Sequence, residues 1–209
     1  MNARICLAVL LLTSIGMAKD STPATKPSAG VAKPVRVKTE TNKPLPHVYS
    51  GFQFPYNVGA FRRVVAYTFD EAGTNLSVGY SDPSLKIIMT VYVYPHLSIP
   101  MDKHFKQLKA DVEQVNSSAK LLEESSITLR QGKRQYEGMR ARYRYIGRLD
   151  GVDQDLISEA YLFKSGRHYV KYRLSYPTAD AKAAAIRTEF FLNELKFPEP
   201  PKSLTKPSE

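Results

Sequence analysis

The stretch GMRARYRYIGRLDG, residues 138 to 151, places arginine at every second position from Arg140 to Arg144. In an extended chain alternate side chains share a face, so three guanidinium groups line up on one side. Each offers a planar fork of donors that matches a carboxylate or a phosphate. The hairpin expected downstream decides their neighbours. A three-residue turn, Lys164-Ser165-Gly166 with the glycine left-handed, pairs Phe163 with Arg167 and sets Glu159 opposite Lys171 and Tyr161 opposite Tyr169. Arg140, Arg142, Arg144, Lys171, Arg173, Tyr161 and Tyr169 then share one face, a candidate site for an anion or a partner. Two other readings of that face stand beside it. It is an ordinary solvated sheet surface, with Glu159 beside Lys171, or a surface roofed by a helix whose Asp111, Glu113 or Glu189 caps the arginines.

The other reactive side chains form no complete constellation. His96 and His104 flank Asp102 at a spacing too loose for a defined metal site. His168 falls among aromatics, where a hydrogen-bonded structural histidine is expected. VGYSDPS lacks the second glycine and the strand-to-helix setting of a nucleophile elbow. Asp150, Asp153 and Asp155 have the composition of a calcium loop but neither its alternation nor its closing glutamate. No catalytic residue, metal ligand or cofactor is therefore assigned from the sequence, and a small hydrolase would need an unfamiliar site.

The elements that must position these residues follow from periodicity. FRRVVAYTF (61–69), LSVGY (76–80) and LKIIMTVYVYP (85–95) read as strands separated by turns. In the third, Ile87, Met89, Val91 and Val93 share one face and Ile88, Thr90, Tyr92 and Tyr94 the other, which places it near the sheet's centre. From Pro100 the spacing turns helical: Phe105, Leu108, Val112, Val115, Ala119 and Leu122 form one stripe. A meander of strands at about 134–146, 156–163 and 167–176 follows, turning at LDGVDQ and KSG. The core face of the meander is expected to collect Met139, Ala141, Tyr143 and Tyr145 with Leu156, Ser158, Ala160, Leu162, His168, Val170, Tyr172 and Leu174. A last helix, about 179–195, turns Ala183, Ile186, Phe190 and Leu195 to the sheet. The expected fold is α+β: an antiparallel sheet, made of a hairpin with an outer strand plus a three-stranded meander, packed with two helices.

The ends of the chain are different in kind. MNARICLAVLLLTSIGMAKD has the basic, apolar and small-residue layout of a secretory signal peptide, residues 1–18, with cleavage expected after Ala18. Its apolar run is shorter than the roughly 20 residues that span a bilayer, so no transmembrane anchor is expected after cleavage. Cys6 is the only cysteine, which leaves the exported chain without disulfides, thiolate metal sites or a thiol nucleophile. Residues 19–46 mix Lys-Pro pairs with Ser, Thr and Ala and hold no aromatic residue, the composition of a disordered linker. Residues 47–199 make a single domain and residues 200–209 a second disordered tail. The net charge of +10 is strongly weighted toward the tails and the linker, so the domain itself is only mildly basic.

The closing run SEAYLFKSGRHYVKYRLSYPTADAKAAAIRTEFFLNELKF, an aromatic hairpin followed by a helix, resembles the end of the PsbP-like α/β/α-sandwich superfamily, which includes exported DcrB-like lipoproteins; Leu195 to Phe197 is an imperfect match to the family's terminal hydrophobic-Phe pair. The resemblance implies an accessory or partner-binding role rather than catalysis. It transfers no functional residues. The expectation is an exported protein, periplasmic or secreted, that binds an envelope protein or an anionic polymer such as lipid headgroup or glycan. No nucleic-acid fingerprint accompanies the arginines, so nucleic acid is disfavoured as a partner.

Overall fold

A computed structural model describes residues 33–96 and 99–198. The expected signal peptide (residues 1–18), residues 19–32 of the expected linker and the expected tail (200–209) lie outside the described residues. The described chain runs through β1 (Val35–Arg36), β2 (Leu45–His47), β3 (Phe52–Phe54), β4 (Asn57–Val58), β5 (Phe61–Thr68), β6 (Leu76–Asp82), β7 (Ile87–Pro95), α1 (Met101–Val115), β8 (Lys120–Gln131), β9 (Arg134–Leu149), β10 (Val152–Ser165), β11 (His168–Pro177), a short 3-10 turn (Thr178–Asp180) and α2 (Ala181–Glu194). The architecture is α+β, as the periodicity predicts.

Nine strands form one antiparallel sheet in the order β1-β5-β6-β7-β11-β10-β9-β8, with β4 also on β5, and β2 pairs β3 in a small separate hairpin. The chain leaves β7, crosses one face as α1, reaches the far edge as β8 and returns by meander to lie beside β7. After β11, α2 covers the opposite face. Two cores result. Phe191, Ala184 and Leu192 of α2 pack with Val78, Tyr80, Val91, Phe163, Tyr172 and Leu174. On the other side Phe105, Leu108 and Val112 of α1 pack with Tyr92, Tyr94, Ala141, Tyr143, Leu162 and Tyr169. A sheet covered on both sides explains why its central strands are apolar on both faces.

Three hairpin turns fix the meander. Asp150 and Gly151, both with positive φ, join β9 to β10 as Asp-Gly pairs do in a type I′ turn. Gly132-Lys133 and Gly166-Arg167 are two-residue turns in which the glycine takes the first, positive-φ position. The KSG expectation is thereby corrected: Ser165 pairs with His168, and Phe163 pairs with Val170 rather than Arg167. The sum of paired residue numbers shifts by three, an odd step. Every side chain of β11 therefore lies on the opposite face, relative to β10, from the one expected.

Three further expectations are corrected. The helical stripe ends with α1 at Val115, because Asn116 and the serines after it favour turns over helix and Ala119 N–H turns back to the Asn116 carbonyl. Ala119 and Leu122 belong to the approach to β8 and to β8 itself, a strand that the sequence reading lacks. In α2 the inward residues are Ala184, Thr188, Phe191 and Leu192, while Ile186 is 65% and Phe190 49% exposed. Only Leu195 of the expected set is buried. Finally, residues 33–46 are not free of the domain. β1 pairs β5, and the buried Arg63 guanidinium donates to the carbonyls of Glu40 (2.9 Å), Lys43 (2.8 Å) and Phe54 (2.6 Å). A buried guanidinium must find acceptors, and the segment supplies two of them.

Candidate functional site

The seven candidate residues do not share a face. Arg140, Arg142 and Arg144 project from β9 on the α2 side, with Tyr161 opposite Arg140 on β10. Lys171, Arg173 and Tyr169 project from β11 on the α1 side, paired with Tyr92, Thr90 and Tyr94 of β7. Met139, Ala141, Tyr143 and Tyr145 do enter the α1-side core, as expected, and meet Leu156, Ser158, Ala160 and Leu162 there.

On the α2 side Arg140 and Arg142 flank a buried carboxylate from within the sheet. Glu159 is 1% exposed. It accepts from Arg140 Nε (2.8 Å), from the Tyr161 hydroxyl (2.6 Å) and, at short range, from the Tyr176 hydroxyl, and Arg142 Nε stands 3.9 Å away. Burial opposes the charge on Glu159, but the Arg140 bond and the two phenols outweigh it and hold its pKa below the ordinary carboxyl value. Arg140 also lies 5.7 Å over the Tyr161 ring and 3.6 Å from Glu123 of β8. Arg144 grips Asp155 with two nitrogens, Nε at 2.9 Å and Nη2 at 2.6 Å. The helix carboxylates are elsewhere: Asp111 of α1 is among the charges that act on Lys171 and Arg173, and Glu189 of α2 lies beside β8.

Beneath α1, Lys171 is 2% exposed, and its Nζ stands 3.8 Å from the centroid of the Tyr92 ring. Burial, joined by the Arg173 charge, drives its pKa well below the usual lysine value against the pull of Asp111. His104 of α1 bonds the Tyr94 hydroxyl at 2.7 Å and stacks on Tyr169, and His96 also packs against Tyr169. Burial keeps His104 below its ordinary pKa. These contacts lock the helix to the sheet.

The surface that the sequence reading missed is the far edge. β8 pairs only with β9 among the described strands, so one side of a 12-residue strand carries no ladder. A register shift between Leu121 and Glu123 is followed by an unbroken ladder from Glu123 to Gln131. The edge charges are turned onto neighbours: Glu124 bonds Lys109 of α1 and Glu123 approaches Arg140. Beside this edge, between β8 and α2, runs a groove of about 440 Å³ lined by Ile127, Leu129, Phe163 and Leu192, with Arg130 and Glu189 among its polar residues. Gly138 makes room for its Phe163 wall, since a Cβ there would meet Phe163 Cδ1 at 2.4 Å. Gln131 fixes one end of the groove: its amide donates to the carbonyls of Leu192 (2.7 Å) and Leu195 (3.0 Å) and accepts from Phe197 N–H (2.8 Å). The available sequence clue was the alternation of Ile127 and Leu129 with Thr128 and Arg130, obscured upstream by the continuing helical spacing of Ala119 and Leu122.

No family model matches the chain, and no curated protein matches it. Among solved structures it is similar to the cyanobacterial PsbP (CyanoP) of Synechocystis, at 11% identity and a TM-score of 0.48 over 84% of this chain and 98% of that one. It is also similar to the Ran-binding protein Mog1p of Saccharomyces cerevisiae, at 12% identity and a TM-score of 0.36 over 72% of this chain and 85% of that one. Among the described residues no helix is long and apolar enough to cross a membrane.

Proposed function

We propose that this protein is an exported, non-catalytic binding module of the bacterial envelope that takes up an extended segment of a partner protein by strand addition along β8. The observation that carries the reading is the juxtaposition of an unladdered edge with the groove between β8 and α2, whose apolar lining is Ile127, Leu129, Phe163 and Leu192. An added strand gains main-chain hydrogen bonds from the edge, and its alternate side chains gain burial in the groove, which supplies selectivity. Long bare edges are normally blunted with proline, lysine or covering loops, yet Glu123 to Gln131 contains no proline, lysine or glycine. Export is supported by the layout of residues 1–18.

The test is a photo-reactive residue placed at Thr128, which is exposed on the edge, and irradiated in living cells. One discrete protein adduct is expected, lost when Ile127→Lys puts a charge in the groove and retained when the distant Lys86→Ala is made. A pattern of adducts that Ile127→Lys leaves unchanged would sink the strand-addition reading. Mature protein recovered from the periplasm or medium should begin at Lys19.

A further inference from the structure

At the end of the sheet where the β8–β9, β10–β11 and β2–β3 turns lie, a second cavity of about 700 Å³ opens. Among the described residues its lining includes Tyr49, Arg134, Tyr136, Ser165, Arg167 and His168, and no carboxylate. The volume falls within the range of roughly 300–1,000 Å³ typical of small-molecule sites. Arg167 is exposed at the tip of the β10–β11 turn, and among the described residues no side-chain hydrogen bond or ion pair engages its guanidinium. Tyr49 is 57% exposed, a large aromatic side chain at the cleft.

The walls are built rather than incidental. His47 is buried; its Nε2 donates to the Gly73 carbonyl (3.0 Å), which leaves Nδ1 to accept from the Ser50 hydroxyl (2.5 Å). Those bonds clamp the β2–β3 hairpin to the β5–β6 turn and so set the position of Tyr49. Across the cleft, Tyr136 packs on Phe197 at 4.6 Å. Burial and the neighbouring His47 hold the His168 imidazole below its ordinary pKa, so at neutral pH it is a hydrogen-bonding group rather than a further cation.

We infer that this cleft binds a small organic anion: Arg167 receives one carboxylate, sulfonate or phosphate group, and Tyr49 and Tyr136 take a flat apolar body. A guanidinium fork matches such an anion, and an aromatic side chain offers a rigid apolar face. The site is separate from the β8 groove and, among the described residues, shares no lining residue with it.

The test uses the mature full-length chain and the fluorescent probe anilinonaphthalene sulfonate. One saturable site per chain is expected, displaced by naphthoate but not by the uncharged naphthalene methanol. Arg167→Glu should weaken binding about tenfold and Tyr49→Ala severalfold, while Arg144→Glu, equal in charge change but remote, should leave it unchanged. All three altered residues are exposed, and unchanged melting curves will show that the variants fold. The inference is overturned if no saturable site exists, if the two arginine variants lose equally, or if the uncharged analogue competes as well as naphthoate. It is also overturned if a chain ending at Pro198 binds the probe and the full chain does not, since the cleft's occupant would then be the chain's own terminal segment. None of these results bears on crosslinking at Thr128, so the two readings fail separately.

Discussion

Glu159 and Lys171 were expected to face each other across a hairpin, and instead each is buried on its own side of the sheet. Their environments act in opposite directions. Glu159 has a cation and two phenols, so its folded pKa lies below the ordinary 4.5. Such a carboxyl adds stability at every pH above that value and loses the contribution as pH falls through the folded pKa. Glu159→Gln should therefore cost about 3 kcal/mol at neutral pH, with the deficit shrinking as the wild type is acidified below 4.5. Lys171 has only an aromatic ring and the edge of Asp111's field. Its folded pKa is depressed below 10.5, so the unfolded chain holds the proton more tightly and the wild type gains stability as pH rises toward that value. Lys171→Met should stabilise the protein by about 1–3 kcal/mol at neutral pH, and the gain should narrow toward pH 10.5. Urea titrations of the three proteins across pH check both signs; a constant difference at all pH values would refute the assigned charge states.

At the scale of elements, the pair of phenylalanines in α2 shows how one residue of helical rotation decides burial. Phe191 is fully buried against Phe61 (4.9 Å), Tyr80 (5.0 Å) and Tyr172 (6.3 Å). Phe191→Ala should lower stability by about 3–5 kcal/mol, while Ile186→Ala, on the outer side, should stay within about 0.5 kcal/mol. Thermal or urea melts separate the two orientations, and comparable losses would mean that the helix is rotated from the position described. β8 makes the complementary point. Much of its side-chain surface is exposed, so local hydrophobicity gave it little definition; it is a strand because an entire ladder with β9 rewards extension.

At the scale of the molecule, the segment before the first long strand is part of the fold. Its carbonyls complete the shell of Arg63, and β1 extends the sheet edge next to β5. A chain starting at His47 should be less stable than one starting at Lys33 by about 2–4 kcal/mol, because a buried guanidinium loses two of its acceptors. Equal unfolding midpoints for the two chains would return residues 33–46 to the status of a plain linker. The same packing logic divides the former basic face: one sheet, covered on both sides, keeps Arg140 and Arg142 with Glu159 on one side and Lys171 with Tyr92 on the other.

Local chemistry was enough to determine the three strands from Phe61 to Pro95, the helix beginning after Pro100, the meander and the last helix, since strand alternation, helical spacing and turn residues act within a few positions of each other. It also located the Asp-Gly turn. What it left open was which side of each strand faces which core. In a strand with apolar residues on both faces, alternation names two faces but does not say what covers them. The choice between a two-residue and a three-residue turn at Gly166 then reversed the whole of β11. The β8 edge and the turn-end cleft were beyond reach for the same reason. Each is formed by residues far apart in the chain, such as Ile127 with Leu192 and Tyr49 with Arg167, which only the packing of two helices on opposite faces of one sheet brings together.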